Sequence, residues 1–287
     1  MRKVFKKLLI WSFSLYRKFG LDGILRDSKN NNVLRVLLFH DIAPNEFISF
    51  SEKIDFLSKD YNFVTPNEFE AMMEGSKPII GKNLLLTFDD GFKSNFEIAS
   101  QVLDKKDIKA IFFIVSDFAG LSKIEDCRNF ISENIFPSMR SSEVPNHWKN
   151  MNWHDLKQLV DNGHSIGCHT KTHARLSTVS DPIELAEEML ESTRIIERKL
   201  NINVKHFAYP FGNLKSFSGA ALNIAKTKFQ YIHSGFRGRN KDTDFNLLVL
   251  RDSVSGDSSI KEMMFYLDGW VDALYTLEKR KFRTWLA

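Results

Sequence analysis

From residue 33 onward, short apolar segments of strand length alternate with longer segments of helical period, and this alternation constrains the fold most. Val33–Phe39 and Asn83–Phe88 are apolar runs, and Ile111–Val115 is apolar at every position, as in strands buried on both faces. Phe47–Lys59 and Trp153–Asp161 are typical of helices. This alternation predicts parallel strands joined by crossover helices, and 287 residues suffice for one (β/α) barrel without a second core.

The chain divides into an N-terminal segment, residues 1–32, and a single barrel domain, residues 33–287. Within the barrel, residues 117–150 show no sustained period, so we interpret them as an insertion. One hypothesis is that this insertion lies beside the active site and sets substrate choice. The alternative is a surface excursion without a role.

Positive charge is concentrated at the N-terminus, where residues 1–29 hold eight Lys/Arg and two acidic residues. The formal net charge is +4, so the rest of the chain is slightly acidic, which argues against a nucleic-acid partner. Leu8–Tyr16 is apolar but too short to span a bilayer, and no small-residue cleavage site follows it. Residues 1–20 fit a helix at the inner membrane face of a cytoplasmic protein, or equally a helix docked on the barrel itself.

Two adjacent carboxylates follow the apolar run Leu84–Leu86, in the sequence Thr87–Gly91. Neighbouring side chains on a strand point to opposite faces, but a turn at the strand end can bring Asp89 and Asp90 into one cleft. A natural division is one Asp on a metal ion and the other as a proton acceptor. The same residues are also ordinary turn formers, so this stretch alone leaves both readings open.

A histidine-rich stretch runs from Gly163 to His173 and contains three of the eight histidines. Imidazole is the commonest ligand for zinc-like ions, and His169 and His173, four residues apart, can converge on one ion. With an Asp from another strand end they predict a three-ligand site with an open position for water. The alternative is that the histidines are structural.

Three stretches together resemble the first three motifs of the polysaccharide deacetylase family (carbohydrate esterase family 4): Thr87–Gly91, His169–His173 and Phe207–Gly212. Leu37–His40 resembles the opening strand of that family, and the likeness covers roughly residues 33–260. The resemblance implies a distorted (β/α) barrel of about seven strands. It also implies a hydrolase that removes an N-acyl group from an amino sugar.

The resemblance assigns roles to individual residues. Asp90, His169 and His173 would bind a divalent metal, with zinc the first choice and cobalt, nickel or iron the alternatives. Asp89 would be the general base, and the backbone N–H of Phe211 would donate to the developing oxyanion.

Two positions depart from the family pattern. Ala208 stands where the third motif usually has an arginine that orients the base. Arg251 stands where the family's Leu-x-His motif has the histidine that protonates the leaving amine. We therefore expect the acid to be His40 or His233.

The predicted function is removal of an N-acetyl or other N-acyl group from a glycan or a lipid-linked saccharide of the cell envelope. Deformylation of a lipid-linked amino sugar is a close variant. A carbohydrate-binding barrel that has lost turnover is the alternative from another class, because the Leu-x-His motif is missing. Peptidoglycan remodelling outside the cell would require export of the N-terminus.

Overall fold

The computed structural model describes residues 32–241 and 247–286. The predicted membrane-binding segment, residues 1–20, lies outside them. Nine strands are present in the described residues, three of them only two residues long, against about seven expected from the resemblance. They are β1 (Val33–Phe39), β2 (Asn62–Phe63), β3 (Lys82–Phe88), β4 (Ala110–Ile114), β5 (Ser165–Cys168), β6 (His206–Ala208), β7 (Tyr231–His233), β8 (Leu248–Val249) and β9 (Asp252–Ser253).

All pairings between these strands are parallel, in the order β8-β7-β6-β5-β4-β3-β1-β9, with β2 beside β3. The two ends of this order, β8 and β9, are separated in the chain only by Leu250 and Arg251. A sheet whose two ends lie so close along the chain must curl round on itself. The predicted fold, a distorted (β/α) barrel in a single domain, is confirmed. We call Leu250–Arg251, where the two ends of the sheet meet, the seam of the barrel.

Helices cover the outside of the sheet and follow the predicted alternation. They are α1 (Phe47–Leu57), α2 (Pro66–Met73), α3 (Lys93–Ile98), α4 (Ser116–Ala119), α5 (Ile124–Phe130), α6 (Trp153–Asp161), α7 (Pro182–Ala186), α8 (Ser192–Leu200), α9 (Gly219–Ala225), α10 (Ile260–Leu267) and α11 (Thr276–Leu286). Asp181 followed by Pro182 predicts a helix start, and this is confirmed at α7, where the Asp181 side chain accepts a hydrogen bond from the Ile183 N–H.

Strand alternation divides the core into two layers. On β3, Leu84, Leu86 and Phe88 pack in the layer between sheet and helices. Leu85 packs in the cluster inside the barrel, together with Ile111 and Phe113 of β4. Side chains on a strand alternate with period two, so positions 85, 87 and 89 share the inner side. The first aspartate of the carboxylate pair therefore points into the barrel.

From the sequence alone, the segment Leu247–Arg251 predicts one short strand, and this prediction is wrong, because β8 ends at Val249 and β9 begins at Asp252. The Asn240 side chain forms hydrogen bonds with both backbone groups of Leu250, donating to its C=O and accepting from its N–H. The Arg251 N–H then donates to the Phe236 carbonyl. These bonds occupy the groups that a continuous ladder would need.

The sequence predicts a single final helix from about Ser259, but the structure divides this region into three elements. α10 ends at Leu267, a 3₁₀ turn covers Asp272–Tyr275, and α11 follows. No helix among the described residues is both long and apolar enough to cross a bilayer.

Candidate active site

The two aspartates leave the end of β3 in different directions. The Asp89 N–H donates to the Phe39 carbonyl at 2.9 Å, which ties this turn to the end of β1. Asp90 has φ 73° and Gly91 φ 87°, both in the left-handed region. Asp89 continues the inner side of β3, while the left-handed turn directs Asp90 towards the end of β5. Backbone strain at a non-glycine residue of this kind is characteristic of functional sites.

The histidine loop follows β5 and is bent at two further non-glycine positions in the left-handed region. Thr170 has φ 67° and His173 has φ 66°. The loop is held by Glu188, whose carboxylate accepts the backbone N–H groups of Lys171 and Thr172. This fold brings the His169 and His173 rings to a centroid distance of 5.1 Å.

Asp90, His169 and His173 converge on one point, with candidate ligand atoms within 4.8 Å of one another. Each histidine places its Nδ1 at a backbone carbonyl, Ala208 O at 2.6 Å for His169 and Asn134 O at 3.0 Å for His173. A carbonyl only accepts, so Nδ1 carries the proton of each neutral ring and the Nε2 lone pairs face Asp90. Carbonyls in this role orient imidazole ligands in metal sites.

The electrostatics of this cluster fit a cation. Asp90 Oδ1 is buried and has no hydrogen-bond partner among the residues that the structure describes, and it lies 3.3 and 3.4 Å from the two Nε2 atoms. Burial opposes ionisation of Asp90, but its pKa is held well below its usual range when positive charge is placed at the His169 and His173 rings, and a bound cation would supply that charge with both rings neutral. A buried, ionised oxygen facing two imidazole lone pairs is left uncompensated unless a positive ion lies between them.

Asp89 is held by Arg251 at the barrel seam. The guanidinium donates to both carboxylate oxygens, at 2.7 and 2.9 Å, and its Nε donates to the Ser234 carbonyl. Both side chains are almost fully buried. Such a two-pronged pair fixes the position of a carboxylate as well as its charge. Arg251 thus holds Asp89 in place, a contact that Ala208 has no side chain to make and that was not predicted from the sequence.

The backbone of Phe211 faces the cleft in a strained conformation. Its φ is 65°, its side chain is partly exposed, and its ring packs against the His173 ring at 4.9 Å. None of the described groups accepts a hydrogen bond from its N–H. The following Gly212 is pressed against Gly235, because a Cβ at Gly212 would lie 2.8 Å from the Gly235 nitrogen.

The two acid candidates occupy different environments. Phe39 pairs with Phe88 across β1 and β3, so His40 follows β1 as Asp89 follows β3, and both line the same cleft. His233 is fully buried on β7, where it is hydrogen-bonded to His206, and it does not line the cleft. Of the two, only His40 can reach a bound substrate.

The cleft has a volume of about 1140 Å³ and extends beyond the catalytic groups. Ile135 and Phe136 of the predicted insertion line one wall, next to the Asn134 carbonyl that orients His173. The insertion has its own small core and two short helices, α5 within it and α4 at its start, instead of lacking regular structure. Residues of the C-terminal region, Phe265 to Glu278, line the opposite wall.

Fold and site together define a parallel barrel with an acid–imidazole cluster at the carboxyl ends of its strands. The sequence model of the polysaccharide deacetylase family matches residues 76–229. The chain belongs to this family, whose members are hydrolases acting on amide bonds of sugars.

Individual relatives are distant. YxkH of Bacillus subtilis (strain 168), provisionally named a polysaccharide deacetylase, is 24% identical over 185 residues. That alignment covers 62% of this chain and 57% of YxkH. The solved structure of IcaB from Ammonifex degensii has a TM-score of 0.67 at 23% identity, covering 83% of this chain and 98% of IcaB. The Streptococcus pyogenes deacetylase PplD, solved with acetate, has a TM-score of 0.65 at 19% identity, covering 82% and 98%. These structural similarities establish the fold.

Proposed function

We propose that the chain is a metal-dependent hydrolase that removes an N-acetyl or other N-acyl group from an amino sugar of a glycan or lipid-linked saccharide. The observation that carries this proposal is the buried Asp90 oxygen, which has no hydrogen-bond partner in the described part of the chain and faces the Nε2 atoms of His169 and His173. Directly beside it, Asp89 is held in a fixed orientation by Arg251.

Asp90, His169 and His173 would hold the divalent ion, with zinc the first choice for this donor set. When bound, such an ion polarises the amide carbonyl and makes water acidic enough to serve as nucleophile near neutral pH. The residues of the chain supply the proton transfers and the second oxyanion donor.

Asp89 accepts the proton of the attacking water, and the Arg251 fork keeps the carboxylate aimed at the cleft. The Phe211 N–H donates to the carbonyl oxygen as it gains negative charge. His40, at the end of β1 next to Asp89, donates a proton to the leaving amine.

The competing hypothesis is a barrel that binds carbohydrate without turnover, based on the arginine at position 251. The pairing of Arg251 with Asp89 gives that residue a role in the hydrolase, so its presence no longer argues for lost catalysis.

The test measures bound metal and acyl release on the same preparations. Wild-type protein reconstituted with zinc or cobalt should retain about one ion per chain and release acetate from N-acetylglucosamine oligosaccharides. His173→Ala should lose the ion, and Asp89→Asn should keep the ion but lose acetate release. His154→Ala is the matched control, because this exposed histidine on α6 bonds only Gln158 among the described residues. Absence of bound metal in the wild type would refute the proposal.

Peripheral membrane contact through residues 1–20 at the inner membrane face remains part of the proposal. Cell fractionation of the full chain and of a chain lacking these residues tests it directly.

A further inference from the structure

A second cavity, of about 580 Å³, lies behind the wall of the catalytic cleft. The C-terminal segment separates the two spaces. Val271, Tyr275 and Glu278 line the cleft, while Asp272, Thr276 and Lys279 line the cavity. The cavity is therefore one helix away from the catalytic groups. Its volume lies within the usual range of small-molecule sites, about 300 to 1,000 Å³.

The lining of this basic cavity is strongly positive. Five cationic side chains reach it from two segments of the chain, 238–241 and 276–283: Arg239, Lys241, Lys279, Arg280 and Arg283. Asp272 is the one acidic residue among the described lining residues.

The charge of Asp272 is already engaged. Both of its carboxylate oxygens accept hydrogen bonds from the buried guanidinium of Arg35, at 2.7 and 3.1 Å. Within residues 32–241 and 247–286, neither Arg239 nor Lys241 nor Arg280 forms an ion pair. The positive charge around the cavity thus exceeds what these residues neutralise.

Lys279 is partly buried, whereas the other four cations of the cavity are exposed. Among residues 32–241 and 247–286, the Nζ of Lys279 donates to two backbone carbonyls and to no carboxylate, with Arg237 O at 3.2 Å and Asp272 O at 3.1 Å. Burial lowers the pKa of Lys279, and Arg35 and Arg283 lower it further, against the opposing effect of Asp272. A negatively charged ligand in the cavity would offset the burial of the Lys279 charge and its repulsion from Arg35 and Arg283.

We propose that the basic cavity binds the phosphate group of an organic phosphate, at a site separate from the reacting amide. Guanidinium and ammonium groups converging from two segments are the usual donors to phosphate oxygens. The remaining wall includes Met73, Leu248 and Leu250, which suit an apolar portion attached to the phosphate. The phosphate could belong to a lipid headgroup or to a soluble ester, and the experiment separates these sources.

The experiment uses the full chain and two neighbouring residues of α11. Arg280 lines the cavity, whereas Lys281, also exposed on the same helix, does not line it. Arg280→Glu and Lys281→Glu change the net charge by the same amount, so diffuse electrostatic effects should be the same in both. Calorimetric titration with inorganic pyrophosphate should show saturable binding, weakened about tenfold or more by Arg280→Glu and less than about twofold by Lys281→Glu.

A vesicle arm identifies the source. A lipid phosphate is indicated if the protein cosediments with phosphatidylglycerol vesicles but not with phosphatidylcholine vesicles. Arg280→Glu should then reduce this cosedimentation, and Lys281→Glu should not. Pyrophosphate binding without this vesicle difference indicates a soluble ester.

The proposal is overturned if pyrophosphate does not bind, or if the two charge reversals weaken binding equally. It is also overturned if His173→Ala abolishes binding, because the anion would then depend on the candidate metal site. This test does not depend on the proposed hydrolase activity, since it measures binding alone.

Discussion

Replacing Arg251 by methionine removes the guanidinium that holds Asp89 but keeps most of the side-chain length. The Arg251 side chain is 1% exposed and that of Asp89 is 4% exposed, so the variant leaves a buried carboxylate without its partner. Breaking a buried pair in this way costs about 3–5 kcal/mol. We therefore expect the free energy of unfolding to fall by about this amount, a large part of the roughly 5–15 kcal/mol of a typical domain.

The same substitution tests whether Arg251 positions the general base. We expect kcat for acetate release to fall about 100-fold, because misplacement of a reacting group by about 1 Å has an effect of this size. KM should change little, since the Arg251 side chain is fully buried and its guanidinium is already bonded to Asp89 and to the Ser234 carbonyl. Arg251→Lys keeps the charge but loses the two-pronged geometry, so it should lie between wild type and Arg251→Met in both measurements.

Urea unfolding and steady-state kinetics on the metal-loaded protein measure the two effects. Arg175→Met is the control, because Arg175 also lines the cleft but stacks on the Phe211 ring, a contact contributing about 0.5–1 kcal/mol. Two results would contradict the reasoning. One is a stability loss for Arg251→Met below about 1 kcal/mol, as for a solvent-exposed pair. The other is an unchanged kcat in folded Arg251→Met protein.

Three further predictions concern other parts of the site and its support. His40→Asn should lower kcat at least about 100-fold while His233→Asn should retain more activity, and the opposite order in acetate release would assign the acid to His233. Burial holds the pKa of His233 well below its usual range, with His206 and Arg251 contributing, so the unfolded chain takes up a proton first as pH falls below about 6.5. The free energy of unfolding of the wild type therefore falls as the pH is lowered. Between pH 7.5 and 5.5, urea titrations should show a fall that is about 1.4 kcal/mol smaller for His233→Asn than for the wild type. Equal falls in the two proteins would refute this. Gly212→Ala should destabilise the fold by more than about 1 kcal/mol, because φ is 61° there and the new Cβ would meet Gly235, and a wild-type unfolding midpoint would show that the loop can adjust.

Much of this molecule could be predicted from the order of its residues. The alternation of apolar and amphipathic segments fixes a parallel sheet, and parallel strands place all their carboxyl ends at one edge. For that reason Asp90 and the pair His169 and His173 could be expected to lie together before any coordinates were known. The structure brings their ligand atoms within 4.8 Å.

Hydrogen bonds made by backbone groups could not be predicted from the sequence. The Asn134 carbonyl orients His173, but a carbonyl is present at every residue and therefore gives no signal in the sequence. Residues 117–150 were also interpreted as lacking a regular period, whereas the structure folds them around a small core. Their helices are too short for a period of 3.6 residues to emerge over the usual window.

The role of Arg251 was hidden for a different reason. Asp89 and Arg251 are 162 positions apart, and their contact exists only because the sheet curls until the side chain of Arg251, at the seam, reaches the inner side of β3. The sequence did contain a signal for this contact. It lies in the two departures from the family pattern, an alanine at position 208 and an arginine at position 251, which were interpreted separately. Ala208 is the last residue of β6 and Arg251 lies between β8 and β9, and side chains at both positions face the same barrel interior. A cationic partner missing from one strand end can therefore be supplied from another, so the two departures should have been read as one rearrangement of the residues that orient the base.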